Sequence, residues 1–79
     1  MHNTFLAKAR ALVETRRGPM PPALPMPHQS ARPGQSYEER KATIEAWMWR
    51  DHERSRYERE VRRIAMQLRT GATLEQIAA

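Results

Sequence analysis

The chain has 79 residues, enough for one small domain, and it contains no cysteine, which excludes disulfide bonds and thiolate metal sites. Lys and Arg number 14 against 9 Asp and Glu, and the net charge of +5 favours an anionic partner without identifying it. A domain this small buries only about 60% of the surface of its unfolded chain. The composition therefore favours a protein that works together with a partner or a second copy.

No stretch approaches the roughly 20 apolar residues that a membrane-spanning helix needs. No charged region leads into an apolar segment at the N-terminus, so we expect no signal peptide, no membrane partner and a cytoplasmic location. Lys8 and Lys41 are the only lysines. A GC-rich genome explains this arginine bias as well as function does, and an origin in a phage or mobile element is a hypothesis from size and composition alone.

The first segment, residues 1–17, is predicted to form a short amphipathic helix from Thr4 to about Arg17, capped by Asn3 or Thr4. Its apolar residues recur at helical spacing; they are Phe5, Leu6, Ala9, Leu12 and Val13. Gly18 followed by proline is expected to end the helix. A helix of about 14 residues is marginal alone and needs a packing partner.

The second segment, residues 18–35, is predicted to be a proline-rich strap or linker. Five of the six prolines lie in residues 19–27, which excludes a helix and favours polyproline II. Two overlapping Pro-x-x-Pro spacings would suit an aromatic groove, although a stiff strap is the preferred interpretation. The apolar side chains Met20, Leu24 and Met26 indicate that the strap lies against the helices or a partner.

The third segment, residues 36–79, is dominated by one long predicted helix from Tyr37 to Thr70. It opens with a capping box at residues 36–39, and no proline or glycine follows until Gly71. At about 1.5 Å per residue this helix would be roughly 51 Å long, more than the roughly 30 Å diameter of a compact domain of this size. It therefore either breaks in the charged stretch 50–56 or projects to meet a partner.

The predicted fold class is all-α, with a short N-terminal helix, the strap, the long helix and a short C-terminal helix in a single small domain. A second capping box at residues 73–76 should start the last helix, Leu74 to Ala79. Residues 61–68 and 70–78 resemble the opening of a helix-turn-helix, with a glycine-containing turn between two helices. The resemblance covers about a quarter of the chain and implies DNA binding through a recognition helix beyond these residues; a simple helical hairpin is the preferred interpretation.

We expect no enzymatic activity, no cofactor and no metal site. The three histidines His2, His28 and His52 lie in different segments and lack metal-ligand spacing. Neither a nucleophile motif nor a phosphate-cradling glycine loop is present. Glu58 and Glu60, two residues apart on a helix, should lie on different faces, which does not favour paired-carboxylate catalysis.

The leading hypothesis is a non-enzymatic accessory or inhibitor protein that docks on a larger protein or nucleoprotein complex. An exposed tryptophan beside methionine and arginine is typical of interface anchors. Trp47 and Trp49 cannot share one narrow stripe, so at least one should be exposed. The predicted partner-binding residues are Trp47, Met48, Trp49, Arg50, Arg54 and Tyr57. Equally weighted is an arrangement in which Trp47 and Met48 are core and the strap partly covers Trp49.

The alternative hypothesis is a regulatory protein that binds DNA or RNA through its phosphates. The predicted contacts are Lys8, Arg10, Arg16, Arg17, Arg59, Arg62 and Arg63. The competing interpretation is a solvated helix face on which pairs such as Glu58 with Arg62 stabilise the helix. A third hypothesis, compatible with both, is a homodimer through a seam that consists of Tyr57, Val61, Ile64 and Leu68.

Overall fold

A computed structural model describes the chain over residues 2–79, and its side chains from Thr4 onward. In this range the fold is all-α, as predicted, with α1 at His2–Arg17, α2 at Tyr37–Arg69 and α3 at Leu74–Ala78. The candidate cap Asn3 lies outside the described side chains. In the described range, no helix has both the length and the apolar character needed to cross a membrane. The chain divides into two compact units, each described below by itself.

The first unit comprises residues through Met20 together with Arg56–Ala79, and its core joins α1 to the second half of α2. From α1, Ala9 and Val13 are buried four residues apart on one face. From α2, a buried stripe recurs at helical spacing; its members are Tyr57, Val61, Ile64, Ala65 and Leu68. The margins are closed by Phe5, Leu12, Met20 and Ile77. The predicted homodimer seam is thus occupied by α1 of the same chain.

Short-range hydrogen bonds end α1 and α2. Gly18 has a φ of 82°, a conformation that glycine adopts without strain, and its N–H donates to the Glu14 carbonyl at 2.7 Å. After α2, Ala72 N donates to the Gln67 carbonyl at 3.0 Å and Gly71 N to the Leu68 carbonyl at 3.2 Å, the two bonds of a Schellman motif.

The predicted second capping box is formed in full. Thr73 Oγ1 accepts from Gln76 N, and the Gln76 side chain accepts from Thr73 N. One further bond holds α3 to α1, because Arg16 Nη2 donates to the Ile77 carbonyl at 2.7 Å. The C-terminal helix is therefore fixed both by its own cap and by a long-range contact.

The second unit, Pro21–Ser55, contains the prolines of the strap and the first half of α2. Arg50 Nη1 donates to the Pro22 carbonyl at 2.8 Å, and Arg54 Nη1 donates to the Pro21 carbonyl at 2.6 Å. The two arginines are four residues apart, so they lie on one face of α2. The sequence left two surfaces open for the strap, the helices or a partner. The start of the strap lies against α2, and these two bonds fix where it does so.

The long helix α2 runs from Tyr37 to Arg69 without a break, so the alternative with an interruption in residues 50–56 is wrong. Ser36 Oγ accepts from Glu39 N at 3.1 Å, which forms the serine half of the predicted capping box. The charged stretch contains three Arg and one Glu, which have high helix propensity, and it contains neither glycine nor proline. Charge in the middle of the helix therefore does not require a break.

Candidate functional site

Most of the large exposed apolar side chains in the second unit lie on the first half of α2. Trp49 is 68% exposed and Met48 is 58% exposed, with Ile44 exposed one turn before them. Glu45, Met48, Trp49 and His52 line a shallow depression of about 410 Å³. We call this surface, made of Ile44, Glu45, Met48, Trp49 and His52, the Trp49 face.

The indole of Trp49 has one aromatic neighbour on the same helix. The His52 ring meets it edge to face, with ring centroids 6.3 Å apart and an angle of 87° between the planes. This geometry is a preferred one for aromatic pairs. It favours one orientation of an indole that is otherwise largely exposed to solvent.

The six predicted partner-binding residues do not share one surface. Successive helical residues are rotated by about 100°, so Arg50 lies about 200° around α2 from Met48. Arg50 and Arg54 face the strap, where their guanidinium groups bind proline carbonyls. Trp47 is half-buried. Met48 and Trp49 remain as the predicted residues on the exposed apolar face, and Glu45 and His52 join them there.

Tyr57 belongs to the core of the first unit and not to an exposed surface. Its side chain is 4% exposed, and its hydroxyl donates to the Gly18 carbonyl at 3.2 Å. Burial raises the pKa of the Tyr57 hydroxyl, and the Glu14 carboxylate raises it further. Tyr57 therefore offers no exposed surface for the direct partner contact that the sequence predicted.

Two carboxylates of α2 bind arginines of α1. Glu58 Oε1 accepts from Arg10 Nη1 at 3.0 Å, in place of the predicted pair with Arg62. That hydrogen bond raises the pKa of the Arg10 guanidinium. Glu60, whose side chain is 11% exposed, lies 2.6 Å from Arg17 Nε and 3.7 Å from Arg16 Nη1. Glu58 and Glu60 thus flank the helix pair, and three of the predicted phosphate-binding arginines serve first as ion-pair partners within the chain.

A second surface concentrates positive charge in the first unit. Arg17, Arg56, Arg59, Glu60 and Arg63 line a groove of about 280 Å³, which we call the arginine groove. Arg17, Arg59 and Arg63 were predicted as phosphate contacts, whereas Arg56 was missed. The spacing of Arg56, Arg59 and Arg63 at i, i+3 and i+7 was the signal that could have found it.

The other predicted phosphate contacts lie elsewhere. Lys8 is exposed on α1. Arg62 lines a separate depression whose other members are Phe5, Leu6, Ala65, Met66 and Arg69. Over the described part of the chain, no three His, Asp or Glu side chains come together as a metal site. No protein family, curated protein or solved structure matches this chain.

Proposed function

We propose that this chain is a non-enzymatic binding protein that docks on a larger protein through the Trp49 face, as an accessory or inhibitor protein. The observation that carries the proposal is the pair Met48 and Trp49, neighbours on a capped helix and each more than half exposed. Tryptophan and methionine are enriched in the centres of protein interfaces. Burying their apolar surface against a partner would contribute roughly 25 cal/mol of favourable free energy per Å² removed from water.

The composition of the Trp49 face favours a protein groove as its partner. Ile44 and Met48 are four residues apart, and Trp49 and His52 follow on the adjoining side, the arrangement by which an amphipathic helix fits an apolar groove. The face carries one carboxylate, that of Glu45, and no Lys or Arg. A phosphate backbone would meet no cation there, whereas an apolar groove would cover both large side chains.

The proposal is tested by photo-crosslinking from the full chain in its native host. A photoreactive phenylalanine analogue replaces Trp49 in one variant and Met66 in a second. Met66 is a matched control because it is an apolar residue of α2 that is 56% exposed and lies outside the Trp49 face. We expect one defined adduct from position 49 that position 66 does not give.

The partner identified in this way is then purified, and its affinity for the chain is measured by calorimetry. Trp49→Ala should weaken binding by about 30-fold or more, since interface anchors contribute about 2 kcal/mol or more. Met66→Ala should leave the affinity within about twofold. Far-UV circular dichroism should be unchanged in both, because neither side chain belongs to the core.

Three outcomes would reject the proposal. Equal adducts from positions 49 and 66 would indicate nonspecific hydrophobic association. An adduct between two copies of the chain would indicate self-association through the Trp49 face. An affinity unaffected by Trp49→Ala would show that the partner binds elsewhere. Self-association through the predicted seam is a separate matter, because Val61 and Ile64 are buried under α1 and become accessible only if α1 leaves.

A further inference from the structure

We propose that the arginine groove is a second binding site, which takes the phosphodiester backbone of nucleic acid without reading its sequence. The site lies in the first unit and uses none of the residues of the Trp49 face. It assigns a specific place to the excess positive charge of the chain, which the docking proposal does not use.

The groove is built by helical spacing on one side and by a helix end on the other. Arg56, Arg59 and Arg63 lie within about 60° of one another around α2 and span about 10 Å along its axis. Arg17, the last residue of α1, completes the lining. Four guanidinium groups are therefore arranged around one groove of about 280 Å³.

The single carboxylate in the groove is already neutralised within the chain. Glu60 lies beside both Arg16 and Arg17, and its side chain is only 11% exposed. Arg17 binds it through Nε, which uses one of the five N–H donors of a guanidinium group. The other donors of Arg17 remain for a ligand, so Glu60 orients this arginine as well as lowering the local charge.

The three α2 arginines of the groove are exposed, and within the described side chains no carboxylate lies within 4.0 Å of their nitrogen atoms. A guanidinium group offers a planar fork of donors that matches two oxygens of a phosphate. Four guanidinium groups in one groove can therefore contact successive phosphates of a strand. Each contact would also release condensed counterions, which drives binding at low salt.

The lining of the groove favours nucleic acid over an acidic peptide. Its five side chains are all charged, so it offers a peptide no apolar side chain to pack against. Peptide recognition normally combines charge with apolar pockets or backbone pairing, whereas a phosphodiester strand can be held by charge alone. The lining also contains no aromatic ring on which a base could stack, which limits the contact to the backbone.

The test is fluorescence anisotropy with the full chain and a labelled mixed-sequence DNA duplex over a salt series. Four phosphate contacts predict a log–log slope of affinity against salt of about −3.6, since each contact contributes about −0.9. Affinity should fall by about 100-fold between 50 and 200 mM salt. The double variant Arg56→Gln/Arg63→Gln should reduce the slope to about −1.8 and weaken binding at 50 mM salt.

A matched control separates the groove from the overall charge of the protein. The variant Arg69→Gln changes the same residue type on the same helix, but Arg69 lines a different depression. It should leave the slope within about 0.5 of the wild-type value, while Arg56→Gln alone lowers its magnitude by about 0.9. Circular dichroism should show each variant folded, because Arg56, Arg63 and Arg69 are exposed.

Absence of binding at low salt, or equal effects of Arg56→Gln and Arg69→Gln, would overturn the inference. If a polyglutamate chain of matched charge bound more tightly than the DNA, the inference would also be overturned, and an acidic protein would be the ligand of the groove. Trp49→Ala provides the link to the docking proposal, because it should leave DNA binding unchanged. The two proposals can therefore fail separately, one on the crosslinked partner and the other on the salt slope.

Discussion

Replacing Glu60 with Gln removes the negative charge that two arginines of α1 share, and the structure sets the size of the effect. Arg17 Nε lies 2.6 Å from the carboxylate, and Arg16 Nη1 lies 3.7 Å from it. The Glu60 side chain is only 11% exposed, but the arginine side chains are 35% and 50% exposed. In the variant both guanidinium groups would stay hydrated, so no buried unpaired charge is created.

Glu60→Gln should therefore cost about 1–2 kcal/mol of unfolding free energy at low salt. Exposed ion pairs contribute about 0.2–1 kcal/mol each, and the short Arg17 contact to a mostly covered carboxylate belongs at the upper end of that range. For a domain of this size, each 1 kcal/mol lowers Tm by roughly 4–8 °C. In 1 M salt the Debye length falls to about 3 Å, so most of the difference should disappear.

The assay is urea unfolding followed by circular dichroism, at low salt and at 1 M salt. Glu53→Gln is the control, because Glu53 is an exposed carboxylate of the same helix; it should change stability by less than about 0.5 kcal/mol. A double-mutant cycle with Arg17→Gln should give a coupling energy of about 1 kcal/mol. If Glu60→Gln costs the same in the Arg17→Gln background as in the wild type, the ion pair does not stabilise the fold and the reasoning is refuted.

Two further predictions concern the core of the first unit. Ile64→Ala should lower the free energy of unfolding, measured in urea, by about 2–5 kcal/mol because the Ile64 side chain is 1% exposed. Met66→Ala, two residues away but outside the core, should change it by less than about 0.5 kcal/mol. Similar losses in the two variants would show that Ile64 is not buried. In the folded chain the pKa of the Tyr57 hydroxyl is raised above its usual value of 10.0. Above about pH 10 the unfolded state therefore loses this proton before the folded state does, and the free energy of unfolding should fall as the pH rises. Tyr57→Phe should remove this part of the pH dependence, measured as the difference in Tm between neutral and alkaline buffer, and an unchanged slope in the variant would contradict the assignment to Tyr57.

Local signals in the sequence were enough to predict the ends of the helices. The Thr73 capping box needs only residues three apart, and both of its bonds are formed. Gly18 and Gly71 follow the helices that they were expected to end, each with a positive φ. The continuity of α2 could not be settled in the same way, because the argument for a break assumed a compact shape and no sequence signal at residues 50–56 required one.

The candidate site was only partly predictable, because its boundaries depend on long-range contacts. The pattern around Trp47 and Trp49 indicated that one of them would be exposed, but not which side of α2 the strap would cover. Hydrogen bonds from Arg50 and Arg54 to proline carbonyls determine which side is covered. The sequence does not reveal these bonds, because every residue of the strap has a carbonyl that could accept them. Glu58 was likewise interpreted as part of a helix-stabilising pair with Arg62, since nothing in the local sequence shows that Arg10 of α1 lies beside it.

The two arginine bonds to the strap end on main-chain oxygens, and this has a consequence for how the segment can vary. Arg54 binds Pro21 and Arg50 binds Pro22, so the strap runs opposite to α2 at this point. A carbonyl is available at every position whatever the side chain, so these two bonds place no demand on residue type beyond a backbone stiff enough to stay extended. The strap could therefore be replaced by another extended sequence, or by a foreign peptide, while the hydrogen bonds from the two arginines are retained.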